Sequence, residues 1–265
     1  MGADTVQVAS TRYGSMLYNP NDIYVGRSIE RYGEFSELEA DLFRQLCGPG
    51  DTVFDVGANI GAHTLMLARH VGPAGFVYAF EAQRIVFQLL CANLALNAIH
   101  NVDAVHAVVG TTAGEERLPD PDYTQAGNFG GFGAELFGSG RHVRRVVLDA
   151  YADAKQVTFL KIDVEGMEGA VIAGAGTLLA RHRPVLYLEN DRPDKSPALI
   201  AQLLALDYQL FWHTPPLFNP ENHRGDAEDI FPRIVSINML GVPRERNAEL
   251  TGFREITDPA ARWNA

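Results

Sequence analysis

Four acids stand where strands should end. Asp55 lies in "TVFDV", Glu81 closes "GFVYAFE", Asp163 follows "VTFLKI" and Glu189 falls in "PVLYLEN". In an open α/β sheet, ligands bind in the crevice at the carboxyl ends of the strands. The first acid opens the spacing Asp55-x-Gly57-x-Asn59-x-Gly61, a turn that leads into a helical pattern. A dinucleotide fingerprint, G-x-G-x-x-G/A, needs glycine where Asn59 stands, although Ala62 fits its last position. No lysine follows the turn, so it is not a phosphate-binding P-loop. A carboxylate at residue 55 would repel a pyrophosphate. It would suit a ligand with an ammonium or a sulfonium, and S-adenosylmethionine carries both. Glu81 stands where an acid hydrogen-bonds ribose hydroxyls; its bland alternative is a cap for the next helix. The expected cofactor-binding set is therefore Asp55, Gly57, Asn59, Gly61 and Glu81.

The later acids would face the reacting group. Asp163 ends its strand on the same edge as Asp55 and Glu81, and is the first candidate for catalysis. Glu165 and Glu168 follow at a helix start, where acids also complement the helix dipole. A hydroxyl acceptor must lose its proton or have its pKa lowered during methyl transfer. Asp163 or a histidine could take the proton; His213 and His223, the latter in "NPENHRGD", follow the sixth strand. Alternatively Mg²⁺ could bind the hydroxyl, held by Asp163 with Glu189, Asn190 or Asp191. Asp163, Glu189 and His223 are the catalytic candidates, and the metal ligands stay open. Trp212, Phe218, Phe129 and Phe132 offer faces on which a ligand's ring could stack, and Asn128, Asn219 and Asn222 offer hydrogen bonds. The same aromatics could simply pack their loops onto the core.

These residues need a scaffold that brings strand ends together. From Asp51, apolar β-rich runs alternate with helical patterns, which predicts a mainly parallel sheet covered on both faces. The pattern gives seven strands. No helix separates "YQLFWHT" from "IVSINMLGV", which predicts one antiparallel strand. Ahead of the sheet, "SELEADLFRQL" predicts a helix with a Ser36–Glu39 capping box. Two long connections interrupt the alternation: residues 119–141, rich in glycine and phenylalanine, and residues 214–231. Loops of that length are commonly functional, and their aromatics predict a ligand-covering role.

The runs "FDVGANIGAHTLMLA", "VYAFEAQ", "FLKIDVEGMEGAVIAGA" and "LYLEN" together resemble the FkbM family of S-adenosylmethionine-dependent methyltransferases. The resemblance spans roughly residues 34–240, and the pairing of "DVGANIG" with "KIDVEGME" is its specific part. "FEAQ" departs from the family's usual "FEPQ" or "FEPS" but keeps Glu81. The resemblance implies the class I methyltransferase fold, a Rossmann-like three-layer sandwich whose last strand is antiparallel. It implies O-methylation, commonly of a sugar or polyketide hydroxyl.

Composition narrows the partners. The 265 residues are 46% hydrophobic, enough for a sizeable core, and the net charge of -11 disfavours DNA and RNA. The D/N-P-P-Y/F run of nucleic-acid amine methylation is missing after the fourth strand, where "DVEG" stands. Cys47 and Cys91 have no metal or disulfide spacing and suit a reducing, cytoplasmic setting. No apolar run reaches membrane-spanning length, and no signal pattern opens the chain. The expected layout is a lead-in over 1–33, a methyltransferase domain over 34–243 and a polar tail over 244–265. Two rivals remain: an NAD-dependent oxidoreductase, opposed by Asp55 and Asn59, and a catalytically silent nucleoside-binding module.

Overall fold

The computed structural model describes residues 5–131 and 140–264. A hairpin of β1 (Gln7–Thr11) and β2 (Gly14–Tyr18) comes first, then α1 (Val25–Tyr32) and α2 (Glu37–Leu46). Next come β3 (Thr52–Val56), α3 (Ala62–Val71), β4 (Phe76–Glu81), α4 (Arg84–Leu96) and β5 (Val102–His106). A small side sheet follows: β6 (Val108–Val109), β7 (Gly114–Leu118) and β8 (Arg141–Val146). The chain then returns through β9 (Val157–Ile162), α5 (Glu168–Ala173), α6 (Gly176–His182), β10 (Val185–Glu189) and α7 (Ser196–Ala205). It ends with β11 (Tyr208–His213), β12 (Asn238–Pro243) and β13 (Arg254–Ile256).

The main sheet has the order β13-β11-β12-β10-β9-β3-β4-β5. Strands β10, β9, β3, β4 and β5 are parallel neighbours, and β12 runs antiparallel to both β10 and β11. The seven expected strands are present in a class I methyltransferase arrangement. The sheet nevertheless has eight strands, because β13 of the expected polar tail adds a second antiparallel strand at the edge. One apolar residue makes that dock possible: Ile256, opposite Leu210, is 1% exposed. A single apolar side chain has no periodicity, so the sequence pattern missed it.

Every residue of β3 is buried, as expected for a central strand covered by helices on both faces. One face packs Phe54, Val56, Leu160 and Leu186 against α5, α6 and α7; the other packs Val53, Val77, Phe159 and Tyr187 against α2 and α3. The helical run "EGAVIAGAGTLLAR" is divided into α5 and α6 at Gly174. A Cβ there would lie 2.1 Å from the Gly110 carbonyl, and the Asp149 carboxylate accepts from Leu178 N–H at the head of α6. The capping box also differs. Ser36 lies in the left-handed region at φ 50, and its hydroxyl donates to the Glu39 carboxylate instead of accepting from the helix.

The lead-in hairpin is fastened to α4 by two amides, Asn97 on the backbone of Ser15 and Asn93 on that of Leu17. Asn93 of α4, fully buried, accepts from Leu17 N–H and donates to the carbonyls of Leu17 and Ile60. It thereby joins β2 to the turn that follows β3. Among the described residues no helix is long and apolar enough to cross a membrane.

Candidate active site

The carboxyl ends of β3, β4, β9 and β10 open into one cleft of about 520 Å³. Its floor is the turn after β3. Gly57 has φ 84, and a Cβ there would lie 1.7 Å from the Asp163 carbonyl oxygen, so only glycine lets the two strand-end loops meet. Gly57 and Ala58 donate their N–H groups to Phe80 O, which joins the turn to the end of β4. Asn59 is left-handed at φ 51, a conformation asparagine tolerates, and its side-chain oxygen accepts from Ile60 N–H at 2.7 Å. Gly61, at φ 92, starts α3.

Glu81 reaches back to this turn. One carboxylate oxygen accepts from Asn59 N–H at 2.9 Å, the other from Gln83 N–H at 2.6 Å. Burial pushes its pKa up to about 7, against those backbone donors. Gly57, Asn59 and Glu81 all line the cleft.

Asp55 does not line it. The side chain is fully buried, accepting from Thr64 Oγ1 at 2.7 Å and from Lys161 Nζ at 3.1 Å. Asp55 pairs with Lys161 in the β3–β9 register, which turns the carboxylate toward the neighbouring strand instead of toward a bound ammonium. Lys161 therefore takes the counter-ion place expected for a ligand. Its ammonium also donates to Gly57 O at 3.1 Å and lies 3.6 Å from the Asp163 carboxylate. Burial opposes its charge, but Asp55 and Asp163 outweigh burial and raise its pKa.

The opposite half of the cleft is acidic. Asp163, Glu165 and Glu189 each place one oxygen within 4.8 Å of the others. Asp191 and Arg192 complete this wall. Arg192 pairs with Glu165 at 2.5 Å and with Asp191 at 3.1 Å. Glu189 Oε2 and Asp191 Oδ1 are buried with no partner among the described residues. Burial, then the neighbouring Asp163, pushes Glu165 up to about 8. The same causes hold Glu189 well above the usual carboxylate range. Glu168 has a different role: its carboxylate accepts from Val164 and Gly166 N–H and closes the turn before α5. Asn190 donates to Met239 Sδ and lies outside the lining.

Glu39 and His63, like Lys161, escaped the sequence reading as lining residues. Glu39 is 5% exposed, and its carboxylate accepts from Ser36 Oγ and Asn238 Nδ2. Its position in a cap motif disguised it. His63 lines the cleft beside Phe35 and Phe43, with burial and then Lys161 lowering its pKa to about 4. Its only sequence signal was its place in the first turn of α3.

Several expected residues lie elsewhere. His223 is exposed beside Gly33, outside the cleft, with its N–H on Glu34; it is corrected from catalytic candidate to surface residue. His213 accepts or donates at the Tyr187 hydroxyl, 2.8 Å away, and burial lowers its pKa to about 4. Trp212 belongs to the core, Phe129 packs on Tyr123, and Phe218 on Tyr32. Asn219 donates to Glu34 and Asn222 closes its own loop; Asn128 alone of the three asparagines lines the cleft. Phe132 lies outside the described residues. The described part of the 119–141 connection is held as a wall. Gly127 N–H donates to Asn21 O, Ile23 N–H to Gly127 O, and Asn19 and Asn21 side chains to Tyr123 O.

A glycine turn after the central strand, an acid after the next and this strand order define a class I methyltransferase. Residues 55–210, more than half of the chain, match the Methyltransferase FkbM domain. A relative is the 31-O-demethyl-FK506 methyltransferase FkbM of Streptomyces tacrolimicus, 32% identical over 70% of this chain and 86% of its own. Among solved structures, the methyltransferase FkbM of Methylobacillus flagellatus KT is 16% identical, over 77% of this chain and 50% of that one, at TM-score 0.49. An S-adenosylmethionine-dependent O-methyltransferase of Thermotoga maritima is 14% identical, over 89% and 77%, at 0.48. The assignment rests on the two sequence matches. The chain belongs to the FkbM methyltransferase family and is an S-adenosylmethionine-dependent enzyme.

Proposed function

We propose that this enzyme methylates a hydroxyl of a sugar, glycan or polyketide-like small molecule. The observation that carries the reading is the division of one cleft into a glycine turn with Glu81 and a facing group of acids led by Asp163. The name of the Streptomyces tacrolimicus relative supports oxygen as the accepting atom. In this reading Gly57, Asn59 and Glu81 hold the nucleoside, and Gly61, outside the lining and packed toward Leu90, shapes the turn. Asp55 acts through Lys161, fixing the turn without touching the cofactor. Asp163, partly exposed in the cleft, takes the acceptor's proton as the methyl group leaves sulfur.

The acids also fit a divalent cation. The orphaned oxygen of Glu189, within the carboxylate group of Asp163 and Glu165, is the donor chemistry Mg²⁺ takes. Those three residues would hold it, and a bound cation would lower the pKa of an acceptor hydroxyl. The experiment is S-adenosylhomocysteine release across a panel of sugars and macrolides, with and without Mg²⁺. Turnover on hydroxyl acceptors supports the reading; turnover confined to amines overturns it.

A further inference from the structure

The cleft contains a buried donor that nothing among the described residues uses. Gln83 follows Glu81 by two residues, lines the same half of the cleft and is 6% exposed. Its amide nitrogen has no hydrogen-bond partner among the described residues. The residue stands at the N-cap of α4, yet its side chain makes no capping bond. Burying an amide donor without a partner costs free energy, a cost that a ligand's acceptor in the cleft would offset.

Glu81 supplies the complementary half. A carboxylate can only accept hydrogen bonds, and Gln83 Nε2 can only donate them. The two side chains spring from one turn, locked by the 2.6 Å bond from Gln83 N–H to Glu81. A hydroxyl is the group that both donates and accepts. We infer that Gln83 is a cofactor-positioning residue, donating to a ribose hydroxyl of the adenosyl cofactor while that sugar donates to Glu81. The inference rests on the cofactor reading above and adds a specific donor to it.

The test is calorimetric titration of S-adenosylhomocysteine into the wild type and into Gln83→Leu, with melting of both proteins in the absence of ligand. Loss of one neutral hydrogen bond predicts an affinity about five- to tenfold weaker. The ligand-free Tm should not fall, because leucine removes an unpaired donor. The loss should vanish for an analogue lacking the 2′ or the 3′ hydroxyl, and the analogue that abolishes it identifies the bonded group. Gln83→Glu should lose more, since it replaces the donor with an acid beside Glu81. Gln83→Met provides a second apolar variant should leucine fold poorly. Affinity within twofold of wild type together with a lower Tm would make Gln83 structural and overturn the inference. A wild type that binds no S-adenosylhomocysteine would instead fail the cofactor reading itself.

Discussion

The two halves of the cleft treat their acids in opposite ways. In the cofactor half, backbone N–H groups satisfy Glu81, and a buried lysine satisfies Asp55. In the acceptor half, Asp163, Glu165, Glu189 and Asp191 crowd together with Arg192 pairing only part of the group. The first half is preorganised, so its ligand finds its contacts in place. The second half stores like-charge repulsion, which a cation or a set of hydroxyl donors would relieve. The cofactor half should therefore respond to substitution through geometry, and the acceptor half through charge.

The largest break in the cofactor half should come from Gly57→Ala. Its Cβ would overlap the Asp163 carbonyl and require a left-handed alanine, for a combined cost of about 3 kcal/mol. Chemical unfolding should show that loss, and S-adenosylhomocysteine titration should show binding abolished. Asp163→Asn is the counterpart across the cleft. It should lower turnover by about 10² to 10⁴ while leaving cofactor affinity within a few-fold. Comparable losses in both would mean that Asp163 serves the cofactor half.

Acidity separates the halves further. Burial pushes Glu81 up to about 7 in the folded protein, above its unfolded value, and in the proposed site ribose hydroxyls would donate to its ionised form. Cofactor affinity should weaken as pH falls below about 7, by up to tenfold per unit, in titrations at stepped pH. The stability that the buried acids contribute should move the other way. The raised pKa values of Glu81 and Glu165 contribute stability below about pH 4.5 that is lost as pH rises through about 7 and 8. His63 and His213, lowered to about 4, contribute stability above about pH 6.5 that is lost as pH falls through 4. Glu189→Gln should relieve the acid repulsion and raise the Tm at pH 8 by about 2–4 °C, on the order of 1 kcal/mol. An unchanged Tm would show that the acids do not strain one another. His223→Ala, outside both halves, should change turnover by less than about twofold.

The strand ends were legible in the sequence, because an apolar run that stops at an acid and a glycine turn suits a buried parallel strand and little else. Gly57, Glu81 and Asp163 were legible as neighbours for the same reason. What depends on side-chain direction stayed hidden. Asp55 is paired inside the sheet with Lys161, and a lone lysine in an apolar strand carries no motif. Glu39 read as half of a cap because its spacing to Ser36 fits one; tertiary packing turned both toward the cleft. The loop aromatics read as ligand faces, yet Phe129 and Phe218 serve as anchors for their loops. Composition cannot separate those uses, since both need a large apolar ring.

The central claim is that the β3 turn and Glu81 form a site for an adenosyl ligand. Calorimetric titration of S-adenosylhomocysteine and NAD into the same wild-type preparation tests it most directly. Saturable one-to-one binding of S-adenosylhomocysteine, weakened by Glu81→Gln, is expected, with no binding of NAD. Binding of NAD alone, or S-adenosylhomocysteine binding indifferent to Glu81→Gln, would contradict it.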